Sequence, residues 1–147
     1  MEEAVKGSIR AMVMDAFPRP EADIRTYSPL ALAFVGDSVY SLIIRSMVIA
    51  KGNRQAEKLH NETKKYVSAA AQARIADALR DLLTEEEEKI YKRGCNANPP
   101  HHAKNATLEE YLKATGLEAL CGYLYLQDRT DRFITLLKEG IDRAEKG

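Results

Sequence analysis

Two carboxylates stand where the chain is most apolar. Asp37 lies in the middle of residues 30–44 (LALAFVGDSVYSLII), and Glu118 is the single charge in residues 117–126 (LEALCGYLYL), beside the small residues Ala119, Cys121 and Gly122. An unpaired charge buried in such surroundings costs on the order of several kcal/mol. A hydrogen bond to a core tyrosine or a salt bridge to Arg45 is the competing account of either acid taken alone, whereas two such acids favour one shared cation. Hard oxygen ligands, without clustered cysteine or histidine, suit Mg²⁺ or Mn²⁺ better than zinc. Cys95, His101 and His102 do not have a usual zinc-ligand spacing.

Helices must position these acids. Leu30, Phe34, Asp37, Ser41, Ile44 and Val48 advance by alternating steps of four and three, as do Tyr111, Thr115, Glu118, Gly122 and Tyr125, so each acid is expected on an inward helical stripe. Gly36 and Gly122 each cost roughly 1 kcal/mol of helix propensity relative to alanine. A close approach of the two helices would explain both glycines and would bring Asp37 and Glu118 within reach of one ion.

The remaining segments also read as helical. The pattern predicts a helix over 3–17 closed by Pro18 and Pro20, and one from Ser28-Pro29 to Ala50 stopped by Gly52-Asn53. A polar basic helix is expected over 54–66 and an alanine-rich one over 68–83. Thr84 to Glu87 and Thr107 to Glu110 have capping-box spacing, opening helices that run to Gly94 and about Gln127; Thr130 is expected to cap a last helix ending near Lys146. Residues 95–106, with Pro99-Pro100, form the one long irregular segment. No alternating β-branched run competes, so the expected fold class is all-α.

At 147 residues the chain suits one domain and is too short for a catalytic domain plus a second folded module. Its 22 basic and 22 acidic residues cancel, so any polyanion surface has to come from local clustering. The acidic N-terminus lacks signal-peptide features, and Asp37 and Arg45 interrupt the longest apolar run short of the ~20 residues of a membrane span. A cytoplasmic protein is expected, with Cys95 and Cys121 as reduced thiols.

Basic residues cluster in two places. Lys89, Lys92, Arg93 and Lys104 share a segment with Asn96, Asn98 and Asn105, and residues 45–66 carry Arg45, Lys51, Arg54, Lys58, Lys64 and Lys65 against Glu57 and Glu62. Beside a metal site, such residues suit a phosphodiester backbone: lysine and arginine neutralise phosphates, and asparagine reaches phosphate or sugar hydroxyls. An ordinary solvated face is the alternative.

The motifs resemble the ribonuclease III family. Residues 34–39 (FVGDSV) are similar to its signature helix, and residues 117–126 to its second metal-binding helix. The match is closer still to the short Mini-ribonuclease III branch: residues 30–37, Leu59-His60, 67–69 with Gln72-Ala73, 84–88, 92–94 with Asn96-Ala97, and Lys104-Asn105 recur there in this order. Where the longer enzymes carry further acids, this chain has Leu30, Ala33 and Thr115, losses that also characterise the short branch.

The resemblance implies an all-α, metal-dependent endoribonuclease domain spanning residues 1–147, without a double-stranded-RNA-binding domain. It implies a homodimer that cuts duplex RNA, with Asp37 and Glu118 holding Mg²⁺ and 5′-phosphate ends as products. Precursor large-subunit ribosomal RNA is the substrate it suggests. Lys92, Arg93, Asn96, Asn98, Lys104 and Asn105 are the expected RNA contacts. A catalytically inactive RNA-binding or ribosome-associated domain of the same fold is the rival reading, opposed by retention of both acids.

Overall fold

A computed structural model of the chain describes residues 7–97 and 106–147. Its helices begin where side chains can satisfy free backbone N–H groups. Helix α1 (Ile9–Ala16) starts at Ser8, later than the expected residue 3, and residues 1–6 lie outside the described part. Helix α2 (Pro29–Ile49) opens on Ser28, whose hydroxyl accepts from the Ala31 N–H, and ends before Gly52 at a φ of 128°. Helix α3 (Ala56–Val67) leads into α4 (Ala69–Leu79), again serine-capped. The expected continuation of α4 to residue 83 tightens into a 3₁₀ turn at Arg80–Leu82.

Both capping boxes form, at Thr84/Glu87 opening α5 (Glu85–Cys95) and at Thr107/Glu110 opening α6 (Leu108–Tyr125). Thr130, expected as a cap, is the first residue of α7 (Thr130–Lys146) and makes no capping bond. The reason is a tight reversal: Asp128 adopts a φ of 58°, and the Arg129 N–H is already taken by the Leu124 carbonyl at 2.8 Å. Arg10 of α1 clamps Asp128 with bonds of 2.6 and 2.9 Å, tying the first helix to this corner.

No strand occurs among the described residues, and the all-α expectation holds. α6 is the axis: it packs on α2, α5, α4 and α7, and from Ala114 to Leu124 every residue but Glu118 is buried. A helix buried on all sides has no solvated stripe, which explains its near-continuous apolar sequence.

On α2 the buried residues are Leu32, Ala33, Gly36, Val39, Tyr40, Ile44 and Val48. The expected inward stripe is therefore corrected in its first half, since Leu30, Phe34 and Asp37 are exposed while Ile44 and Val48 point inward. Both sides of α2 are apolar, so periodicity alone does not pick the buried one. By length and composition α2 could also cross a bilayer, with 21 residues and a mean hydropathy of 1.6, contrary to the expectation that Asp37 and Arg45 break it too early. In the fold it is a core helix laid along α6.

Candidate active site

Two glycines bring the acids together. A methyl group built on Gly36 would overlap the Glu118 carbonyl oxygen and sit 2.8 Å from the Gly122 nitrogen; one built on Gly122 would overlap the Leu32 carbonyl oxygen. The α2 and α6 backbones thus touch where only hydrogen fits, as expected from the sequence. Asp37 follows Gly36 at the rim of this crossing, and Glu118 lies one turn before Gly122.

Burial pushes the half-buried Glu118 carboxyl up to about 8, and the charge and hydrogen bond of Asp37 push in the same direction. A third helix supplies a brace. Gln72, 3% exposed in the first turn of α4, donates its Nε2–H to Glu118 Oε2 at 3.4 Å. Among the described residues no cation pairs with either acid. Arg45 donates instead to Ser41 Oγ at 3.2 Å, and the Tyr40 hydroxyl to the Tyr66 carbonyl at 2.6 Å, so neither competing account of the acids is met.

Chemically this is a pair of hard carboxylate oxygen donors from two helices, one of them braced by an amide N–H from a third. No group of three or more His, Cys, Asp or Glu side chains converges among the described residues. Mg²⁺ accepts so sparse a set, because it keeps much of its water and commonly takes only one or two carboxylates plus substrate phosphate. Thr115 is buried with its hydroxyl bonded to the Tyr111 carbonyl at 3.0 Å, and Ala33 is inside the core, so neither adds a donor. Cys121 lies buried behind the site, Cys95 is half-buried, and both are free thiols as expected.

The expected RNA contacts divide into described and undescribed. Lys92 and Arg93 are exposed on the last turn of α5, and Asn96 is exposed as its C-cap. Asn98, Lys104 and Asn105 lie outside the described residues, as do His101 and His102. Gly94 anchors this end of α5 on Gly116 and Ala119, the stretch of α6 that carries Glu118. Lys92 is also 3.5 Å from the half-buried Glu88, which Arg80 already holds at 2.8 Å.

Sequence reasoning registered Gln72 only as part of a recurring motif and missed its contact with Glu118. An amide-bearing side chain in an otherwise alanine-rich helix was the available signal. The second basic segment is also pruned by the fold, because Lys51 and Arg54 both bind Glu62 at 2.5 Å.

Known proteins resemble this chain in sequence and in fold. The model of the ribonuclease III domain matches residues 30–129, which contain both acids. The chain is 45% identical over 125 residues to Mini-ribonuclease 3 of Streptococcus pneumoniae, covering 84% of this chain and 98% of that one. It is 43% identical over 123 residues to Mini-ribonuclease 3 of Thermoanaerobacter sp., covering 84% and 87%. Among solved structures, protein FN1578 from Fusobacterium nucleatum superposes with a TM-score of 0.74 at 32% identity, covering 83% of this chain and 98% of that one.

Proposed function

The chain belongs to the ribonuclease III family, in its Mini-ribonuclease 3 branch, and is an endoribonuclease acting on RNA; from that premise we propose that it cuts duplex RNA at Asp37 and Glu118. The observation that carries this reading is the pair of acids facing each other with no cation from the described chain between them. Such a pair favours a divalent cation as its counter-charge, with Mg²⁺ first and Mn²⁺ second.

Asp37 and Glu118 would hold the ion, and Gln72 would fix the Glu118 carboxylate in a ligating orientation. Bound there, Mg²⁺ would make a water nucleophilic toward phosphorus and offset charge on the departing 3′ oxygen, giving 5′-phosphate and 3′-hydroxyl ends. The chain's own part is positional. Asp37 and Glu118 are set by backbones in contact, so the site is rigid before substrate arrives, and Glu118 yields its proton when a cation replaces it.

Lys92, Arg93 and Asn96, with Asn98, Lys104 and Asn105 beyond the described residues, would grip the phosphate backbone and sugar hydroxyls in place of a separate double-stranded-RNA-binding domain. A homodimer with one site per subunit is part of this reading. Its support is the outer face of the first turns of α2, where Phe34 is 82% exposed with Leu30 also in solvent, an apolar patch that a second copy would cover. The proposed substrate is a stem of precursor large-subunit ribosomal RNA and the proposed location the cytoplasm, both on family resemblance.

Incubating the protein with an end-labelled RNA duplex, with and without Mg²⁺, tests the proposal. Cutting that needs the metal and disappears in Asp37→Asn is the expected result. Binding without cutting at any metal concentration would leave only the non-catalytic rival.

A further inference from the structure

The fold sorts the basic residues by whether the chain already uses them. Arg10, Lys51, Arg54, Arg80, Lys113, Arg132 and Arg143 each hold an acid within 3.1 Å. Arg45, Lys58, Lys64, Lys65 and Arg74 make no ion pair with any described residue, and all five lie on α2, α3 and α4. Arg19, Lys89, Arg93 and Lys146 are likewise unpaired, so the α2–α4 side of the molecule carries five of the nine described cations that make no ion pair.

Three polar side chains on that side line up with the acid pair. Asp37, Ser41 and Arg45 follow each other at four-residue steps along α2, with Asp37 and Arg45 exposed and Ser41 bonded to Arg45. Arg45 is thus about 12 Å from Asp37 along the helix axis, at 1.5 Å per residue. α3 runs antiparallel to α2, since Arg54 reaches the Val48 carbonyl at one end and Tyr40 reaches the Tyr66 carbonyl at the other. Arg45 and His60 line one cleft of about 260 Å³ between the two helices, with Leu59 and Thr63 at its floor. Lys64, one turn on from His60 and exposed, continues the line back toward the level of Tyr40 and Asp37.

We propose that Arg45, His60 and Lys64 form a second phosphate track that holds the RNA strand on the α2–α3 side of the acid pair, separate from the end of α5. A strand whose phosphate lies at Asp37 and Glu118 has to leave the site over one or another surface. At 3.4 Å of rise per nucleotide of strand, Arg45 lies within a few nucleotides of the cut. The serine bond orients the guanidinium without neutralising it, and an oriented planar fork is the group best matched to a phosphate. Lys51, close by in sequence, is not part of the track because Glu62 already satisfies it.

This inference rests on the duplex-cutting reading, and one experiment separates the two. Affinity for an RNA duplex is measured across a salt series, together with cleavage in Mg²⁺, for the wild type, Arg45→Ala/Lys64→Ala and Lys51→Ala. The double variant is expected to bind on the order of tenfold more weakly, with its salt slope flattened by roughly two units and the loss appearing in KM before kcat. Lys51→Ala is expected to keep the wild-type slope. Because both altered side chains are exposed, circular dichroism should remain that of the wild type. Unchanged affinity and slope in the double variant, with the wild type still cutting, would overturn the track alone. A wild type that neither binds nor cuts duplex would overturn the track and the reading beneath it.

Discussion

Glu87 and Glu118 are both acids withdrawn from water, and the chain treats them in opposite ways. Glu87 is 1% exposed and fully served: Arg132 donates to it at 2.8 and 2.9 Å and the Thr84 N–H at 2.9 Å, while Arg129 stands 3.9 Å away. Arg132 above all holds its carboxyl below the ordinary glutamate value. Glu118 has one amide for company and another acid opposite, and burial together with that acid holds its carboxyl up at about 8. A structural acid finds its cation within the chain; an acid set against an acid lacks one there, and the proposed function supplies it from outside.

The comparison breaks most visibly under charge removal. Asp37→Asn should lower Mg²⁺-dependent cleavage by at least about 10³-fold, in line with losses for groups acting directly at a reacting centre, while the metal-free fold is kept. Glu118→Gln should match it, and the double variant should be little worse than either. Rates under single-turnover conditions measure this, and near-normal cutting by Asp37→Asn would remove Asp37 from the chemistry.

Next in size is the helix crossing that creates the pair. Gly36→Ala forces a methyl group against the Glu118 backbone, which cannot swing aside as a side chain would. Overpacking of this kind costs roughly 1–3 kcal/mol or more, so urea unfolding should show a clear loss, with cleavage falling alongside as the acids separate. Full stability in Gly36→Ala would mean that the helices do not meet there.

Glu87→Gln should show the reverse pattern from Asp37→Asn. Removing the acid strands Arg132, whose partial exposure softens the penalty, so a destabilisation of roughly 2–3 kcal/mol is expected with little change in cutting below the melting temperature. If instead activity fell and stability held, the roles assigned to the two acids would have to be exchanged.

The smallest effect sharpens the contrast through pH. Glu118 titrates near 8 in the folded chain and near 4.5 when unfolded, so between those values the unfolded state binds fewer protons and stability falls as pH rises. Metal-free melts at pH 5 and pH 8 should differ by a few degrees more in the wild type than in Glu118→Gln. Mg²⁺ should narrow the gap in the wild type, because it stabilises the deprotonated site. Identical pH slopes in both proteins would mean that the carboxyl is ordinary.

Local chemistry was legible in the chain because it is written in neighbouring residues. Ser28-Pro29, the two capping boxes and Gly52 marked helix ends within a residue or two, since a cap is satisfied by residues three positions away. The paired anomalies were legible as well: Asp37 and Glu118 in the apolar runs of two helices, with Gly36 and Gly122 close by, implied a close crossing with two carboxylates beside it. Thr130 failed as a cap because the turn before it is governed by the Leu124 carbonyl and Arg10, partners that a local reading does not include.

What the sequence by itself determined is therefore the set of helices, the family and the two acids, all carried by spacing along the chain. Only the tertiary structure decided which side of α2 faces inward, because both sides of that helix carry large apolar residues and the choice was made by the contact of Gly36 with α6. It decided likewise that Gln72 of α4 braces Glu118, and that Lys51 and Arg54 are spent on Glu62 while Arg45 and Lys64 make no ion pair with a described residue. A charge has the same letter in the sequence whether or not it is neutralised. Its partner is chosen by which helices meet.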